Sequence, residues 1–219
     1  MKKLLVKICG LMREEDVDHC INSGADIVGF VVDYPVAVPW NLDIKRAGEL
    51  IDHFRKKIEE TGIKCECCIV SGGNIEKLSN LISVLKPDYI QLHYKEDEDT
   101  IIGLKKLHSI KIIKTVPEGC DDAKAFEKAG ADILLVDARN AENAASSGCS
   151  LNEEFYKNVR ASVDIPVMAA GGINPSNVKD IIDRLSPELI DIMTGVEESF
   201  GIKSQKKIND LMDNIKDYI

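Results

Sequence analysis

No apolar run in this chain of 219 residues approaches the ~18 residues that a membrane-spanning helix needs. Lys2-Lys3 is followed by only three apolar residues before Lys7, too short a core for a secretory signal, so a cytoplasmic protein is expected. Positive charge is also scarce: 28 Lys and Arg against 37 Asp and Glu leave a formal net charge of -9. That balance repels phosphate backbones and anionic lipid surfaces, which argues against nucleic acid or a membrane as a bulk partner. A small anionic substrate stays open wherever a site is locally positive. Disulfide framework spacing is missing too. The seven cysteines, Cys9, Cys20, Cys65, Cys67, Cys68, Cys120 and Cys149, are odd in number and sit in a chain large enough to need no staples. They read as reduced thiols.

What is present is a regular alternation. Short apolar, β-branched runs recur as LLVKI (4–8), DIVGFVV (26–32), KCECCIV (64–70), DYIQLH (88–93), KIIKTV (111–116), DILLVD (132–137), IPVMAA (165–170) and ELIDIM (188–193). Amphipathic segments lie between them. EEDVDHCINSG ends at Gly24, NIEKLSNLISVLK ends before Pro87, and NPSNVKDIIDRL opens with Asn174-Pro175, read as a cap followed by a first-turn proline. Strands alternating with helices and no intervening linker predict an α/β protein, a single (β/α)8 TIM barrel over residues 1–219. A doubly wound open sheet is the alternative, and no repeated sequence points to a solenoid.

In such a barrel the chemistry gathers where strands end at their carboxyl termini. Those ends read Cys9-Gly10, Asp33-Tyr34, Ser71-Gly72-Gly73, His93, Thr115, Asp137, Gly171-Gly172 and Thr194-Gly195. The loops AAGGIN and MTGVEESFG follow the seventh and eighth runs, where this fold binds phosphate through backbone N–H groups. Gly171, Gly172, Thr194 and Gly195 are the phosphate-site candidates, against the plain reading of Gly-Gly as a turn. Cys9 and Asp137 form an acid/base candidate pair: a thiolate takes a proton from carbon, and a carboxyl kept protonated by partial burial gives one to oxygen. Taken singly, the cysteine also reads as core and the aspartate as a cap. Cys65 and Cys68 have CxxC spacing, but residues three apart on a strand face opposite sides, so a packed strand fits better than a chelate or redox pair. His93 reads either as a substrate contact or as a hydrogen-bonded structural residue. The run KEDEDT (95–100) reads as a solvated helix start.

VKICGL, GADIVGFVV, IQLH, ILLVDA, AAGGINPSNV and DIMTGVEESFGIKS, in that order, resemble the phosphoribosylanthranilate isomerase family along nearly the whole chain. The resemblance implies a tryptophan-pathway enzyme without cofactor or metal. Its reaction would be an Amadori rearrangement of the aminoaldose N-phosphoribosyl anthranilate to an aminoketose, with Cys9 matching the general base and Asp137 the general acid. Two places depart from the family pattern. Its Tyr-Pro-x-Ser-x-Arg stretch, whose arginine holds the anthranilate carboxylate, is replaced by DYPVAVPWN with Pro39 near the arginine's place, and its glycine-rich loop after strand six reads RNAENAASSGCSLNEEF. Arg139, two residues beyond Asp137, is the candidate replacement for the carboxylate clamp. A paralogue acting on another phosphorylated amino sugar and a non-catalytic phosphosugar-binding barrel are the alternative readings. The sequence leaves the oligomeric state open.

Overall fold

The computed structural model describes residues 3–120, 122–138 and 150–219. Eight parallel strands close into one barrel: β1 (Leu5–Ile8), β2 (Ile27–Val31), β3 (Glu66–Ser71), β4 (Tyr89–Leu92), β5 (Lys111–Val116), β6 (Ile133–Val136), β7 (Val167–Ala170) and β8 (Leu189–Ile192), with β8 returning to β1. The helices on the outside are α1 (Glu14–Asn22), α2 (Ile44–Thr61), α3 (Ile75–Leu85), α4 (Glu98–Leu107), α5 (Ala123–Ala129), α6 (Glu153–Ser162), α7 (Val178–Leu185) and α8 (Gln205–Ile215). After β8 come a short 3-10 turn (Thr194–Val196) and a small antiparallel hairpin, β9 (Glu197–Ser199) with β10 (Ile202–Lys203). None of the described helices is long and apolar enough to cross a membrane.

The helices start where short polar side chains take a first-turn N–H. Asp43 accepts from Arg46, Asn74 from Lys77, Asp97 from Thr100, Asn152 from Phe155 and Ser204 from Lys207. The α7 segment departs from its sequence reading. Asn174 does not cap it; its Oδ1 accepts the N–H and hydroxyl of Ser176 in a local turn, and the helix begins only at Val178. The acidic run before α4 also differs from a wholly solvated stretch. Glu96 is buried, accepts the backbone N–H groups of Gly73 and Tyr94, and faces Lys114 at 3.8 Å.

Strand alternation sorts the apolar residues into two shells. One lies between strands and helices and includes Val6, Ile8, Val28, Phe30, Ile69, Ile90, Ile112, Leu134, Ala169 and Ile190. The other fills the barrel itself with Ile27, Cys68, Tyr89, Ile113, Ile133, Leu135, Met168, Ala170 and Leu189, and Leu5 packs on it. Cys65 belongs to the outer shell and Cys68 to the inner, so the CxxC pair is split across the sheet. The six described cysteines are free thiols, and Cys149 lies outside the described residues.

A repeated device ties the strand starts together. Asp26 donates its N–H to the Val6 carbonyl and accepts the Val6 N–H on its side chain; Asp88 does the same with Cys67, and Asp132 with Ile112. Each aspartate precedes an even-numbered strand and grips the odd-numbered one before it.

Candidate active site

Because Leu5 packs into the barrel interior, Lys7 and Cys9, two and four residues on, face the axis as well. The same parity turns Asp191 inward two residues after Leu189, Gln91 and His93 inward after Tyr89, and Asp137 inward after Ile133 and Leu135. At the carboxyl end these side chains meet around one cleft, lined by Cys9, Gln91, His93, Asp137, Asp191 and Met193, with a wall of Val31, Tyr34, Val38, Trp40 and Val70.

On the β1 side lies a buried charge pair. Lys7 Nζ donates to Asp191 Oδ2 at 2.8 Å, with Lys7 wholly buried and Asp191 8% exposed. Burial, the largest single influence, disfavours the ammonium, but the Asp191 carboxylate together with the nearby Cys9 and Cys68 outweighs it and holds Lys7 above the usual lysine range. Burial pushes the Cys9 thiol up; the charge of the nearby Lys7 ammonium pulls the other way. Across the cleft, His93 Nε2 stands 3.2 Å from Asp137 Oδ2, and the Tyr34 hydroxyl donates to the His93 carbonyl at 2.7 Å. Tyr34 and His93 thereby fix the wall behind Asp137, which is itself 8% exposed.

The loop after β2 sits where the chain takes unusual backbone. Asp33 has φ +43, an uncommon value for a residue with a side chain, and Lys77 pins it by donating to the Asp33 and Gly72 carbonyls. Farther along, the Trp40 indole N–H donates to Glu197 Oε1 at 2.7 Å, and Lys203 Nζ meets the same oxygen at 3.0 Å. The loop is therefore tied to the β9–β10 hairpin, and Phe200 packs edge-on to Trp40 at 5.6 Å.

The loops after β7 and β8 touch through their backbones. A Cβ at Gly195 would lie 1.8 Å from the Ile173 carbonyl oxygen, so no side chain fits there. Gly172 takes φ +69, and its carbonyl accepts from the side chains of Asn174 and Asn177. The loop that carries Gly171 and Gly172 thus meets the loop that carries Thr194 and Gly195 at the mouth. The structure brings Cys9, Asp137 and His93 to one cleft, while Arg139 lies outside the described residues. Sequence reading passed over Lys7, Gln91 and Asp191. Their signal was a polar letter at an inward position of an otherwise apolar strand, as in LVKI and LIDI. Among the described residues, no group of three or more His, Cys, Asp or Glu is placed to hold a metal ion.

Residues 6–214 match the family model described as N-(5'phosphoribosyl)anthranilate (PRA) isomerase. An N-(5'-phosphoribosyl)anthranilate isomerase of Nitrobacter winogradskyi is 32% identical over 213 residues, covering 95% of this chain and 91% of that protein. The crystal structure of phosphoribosyl anthranilate isomerase from Thermus thermophilus superposes with a TM-score of 0.79 at 25% identity, over 97% of this chain and 98% of the other. Another phosphoribosyl anthranilate isomerase, solved in complex with reduced 1-(o-carboxyphenylamino)-1-deoxyribulose 5-phosphate, superposes at 0.76 with 25% identity, over 98% and 99% of the two chains.

Proposed function

Because this chain belongs to the N-(5'-phosphoribosyl)anthranilate isomerase family, we infer that it catalyses the rearrangement of N-(5'-phosphoribosyl)anthranilate to the corresponding 1-amino-1-deoxyketose phosphate, a step of tryptophan biosynthesis. The reaction is an aldose–ketose isomerisation and needs only proton movement. Asp137, as the carboxylic acid, protonates the ribose ring oxygen and opens the furanose to a protonated imine. Cys9, as the thiolate, removes the proton from the neighbouring carbon to give an enolamine. A proton gained at the imine carbon and one lost from the hydroxyl complete the ketone, so no net proton is consumed. The observation that carries this reading is the meeting of Cys9 from the end of β1 and Asp137 from the end of β6 in one cleft. Backbone N–H groups at Gly171, Gly172, Thr194 and Gly195 would hold the phosphate. A phosphorylated substrate does not cross membranes unaided, which supports a cytoplasmic enzyme.

The cleft wall favours a second reading. Val31, Val38, Trp40 and Val70 are apolar, and Pro39 stands near the place of the family's arginine, so a substrate whose amino substituent lacks a carboxylate would meet complementary surface. Under the first reading Arg139 supplies the cation, because a carboxylate drawn into a partly desolvated mouth without a partner costs several kcal/mol. Two measurements decide between them: growth of a tryptophan auxotroph lacking this isomerase, and turnover of N-(5'-phosphoribosyl)anthranilate by the purified protein. Rescue with turnover is the expected outcome. Neither rescue nor turnover, with the protein folded, would move the assignment to another phosphorylated amino sugar.

A further inference from the structure

Buried ion pairs are poor stabilisers, since desolvation cancels most of their attraction, and those kept for structure have their remaining lone pairs satisfied. The Lys7–Asp191 pair does not fit that description. Asp191 Oδ1 is buried without a hydrogen-bond partner among the described residues. A fully buried ammonium and a half-satisfied carboxylate at the floor of a cleft are an expense that calls for an explanation beyond folding. The group beside them provides one. Cys9 stands two residues after Lys7 on the same face of β1 and lines the cleft, so the ammonium lies on the thiol's side of the sheet.

We propose that Lys7 is a positioning residue for the base, its ammonium favouring the Cys9 thiolate against the burial of the sulfur while Asp191 keeps that ammonium charged and aimed. This rests on the reading of Cys9 as the base but makes a claim about the thiol itself, whatever the substrate. Cys9 is a buried thiol that solvation helps little, so a counter-charge on the same strand face is the means left to stabilise its anion. The other groups acting on it have been placed. Asp191 opposes the thiolate from β8, Lys203 favours it from the hairpin but is shared with Glu197, and Cys68 faces Lys7 from β3. His93 and Asp137 line the opposite side of the cleft.

Removing Lys7 alone strands a buried carboxylate and threatens the fold, so the deciding variant is Lys7→Met combined with Asp191→Leu. Replacing a whole buried pair by apolar residues of similar size is commonly neutral or stabilising. The readout is alkylation of Cys9 by iodoacetamide against pH, followed by mass spectrometry of the peptide that carries it, with the urea midpoint as a check on folding. The alkylation limb should move up by about one pH unit or more, a tenfold loss of thiolate at neutral pH, and Lys7→Arg should restore it in part. In the isomerase assay kcat should fall by at least about tenfold with a smaller change in KM. A folded double variant whose Cys9 alkylates with the wild-type pH dependence would overturn the proposal. If wild-type protein fails to turn over the anthranilate substrate, the functional reading falls, while the alkylation limb still decides the role of Lys7.

Discussion

At the residue scale, the cleft sets a thiol near an ammonium on one side and a carboxyl beside an imidazole on the other, the arrangement on which the proposed acid/base roles rest. Cys9→Ala and Asp137→Asn should each lower turnover on the true substrate by about 10² or more, the usual scale for removing acid or base help, and affect binding much less. Near-normal turnover in either variant, with chemistry shown to limit the rate, would remove that residue from the mechanism. The placement of Cys9 and Asp137 in one cleft was legible because each closes an apolar run at the carboxyl end of the barrel. Lys7 and Asp191 were not, because their meaning lies in the β1–β8 closure that sets Lys7 opposite Asp191, a pairing 184 residues apart along the chain. Period-2 reading places both inward but does not say that they meet.

At the element scale, each strand core was readable and most ends fell within a residue or two, since β-branched runs bounded by Asp, Gly and Pro mark buried parallel strands without ambiguity. The helix starts were harder. Asn174-Pro175 has the composition of a cap, yet Asn174 spends its oxygen on Ser176, a competition between turn and helix that sequence alone does not settle. The β9–β10 hairpin escaped notice because its strands are three and two residues long. The aspartates before β2, β4 and β6 carried a signal that was legible only afterwards, in GADI, KPDY and GADI once more. Their role gives a prediction. Asp88→Ala leaves the Cys67 N–H at the barrel's amino end without its side-chain acceptor, a loss of about 1–3 kcal/mol. Asp88→Asn, which keeps an acceptor oxygen, should cost less. Urea midpoints should follow that order while kcat stays at the wild-type value, because the cleft lies at the opposite end; a fall in kcat with unchanged stability would contradict the division of the barrel into a structural and a catalytic end.

At the scale of the whole molecule, the burial that builds two apolar shells makes the protein's stability sensitive to alkali. Burial raises the pKa of Cys9, Cys20, Cys65, Cys67 and Cys68, with Cys20 and Cys65 pushed up to about 12. In the unfolded chain these thiols ionise near ~8.5. Above that pH the unfolded state has released protons that the folded state still holds, so stability falls as pH rises, and continues to fall until each folded pKa is passed. Each such thiol contributes about 1.4 kcal/mol per pH unit within its window, and several acting together match a total stability of ~5–15 kcal/mol within a few pH units. Lys7 adds a loss of the same sign only at higher pH, because its folded pKa is raised and its contribution is complete below the unfolded lysine value of ~10.4. Urea midpoints should therefore hold level from pH 7 to 8 and decline steeply between pH 9 and 10.5. Cys20→Ala should make the decline shallower by the equivalent of one proton, since Cys20 sits in the outer shell, away from the cleft, and its removal leaves catalysis untouched. Midpoints flat through pH 10 would mean that the thiols ionise in place, and the packing described for both shells would then be looser than the structure shows.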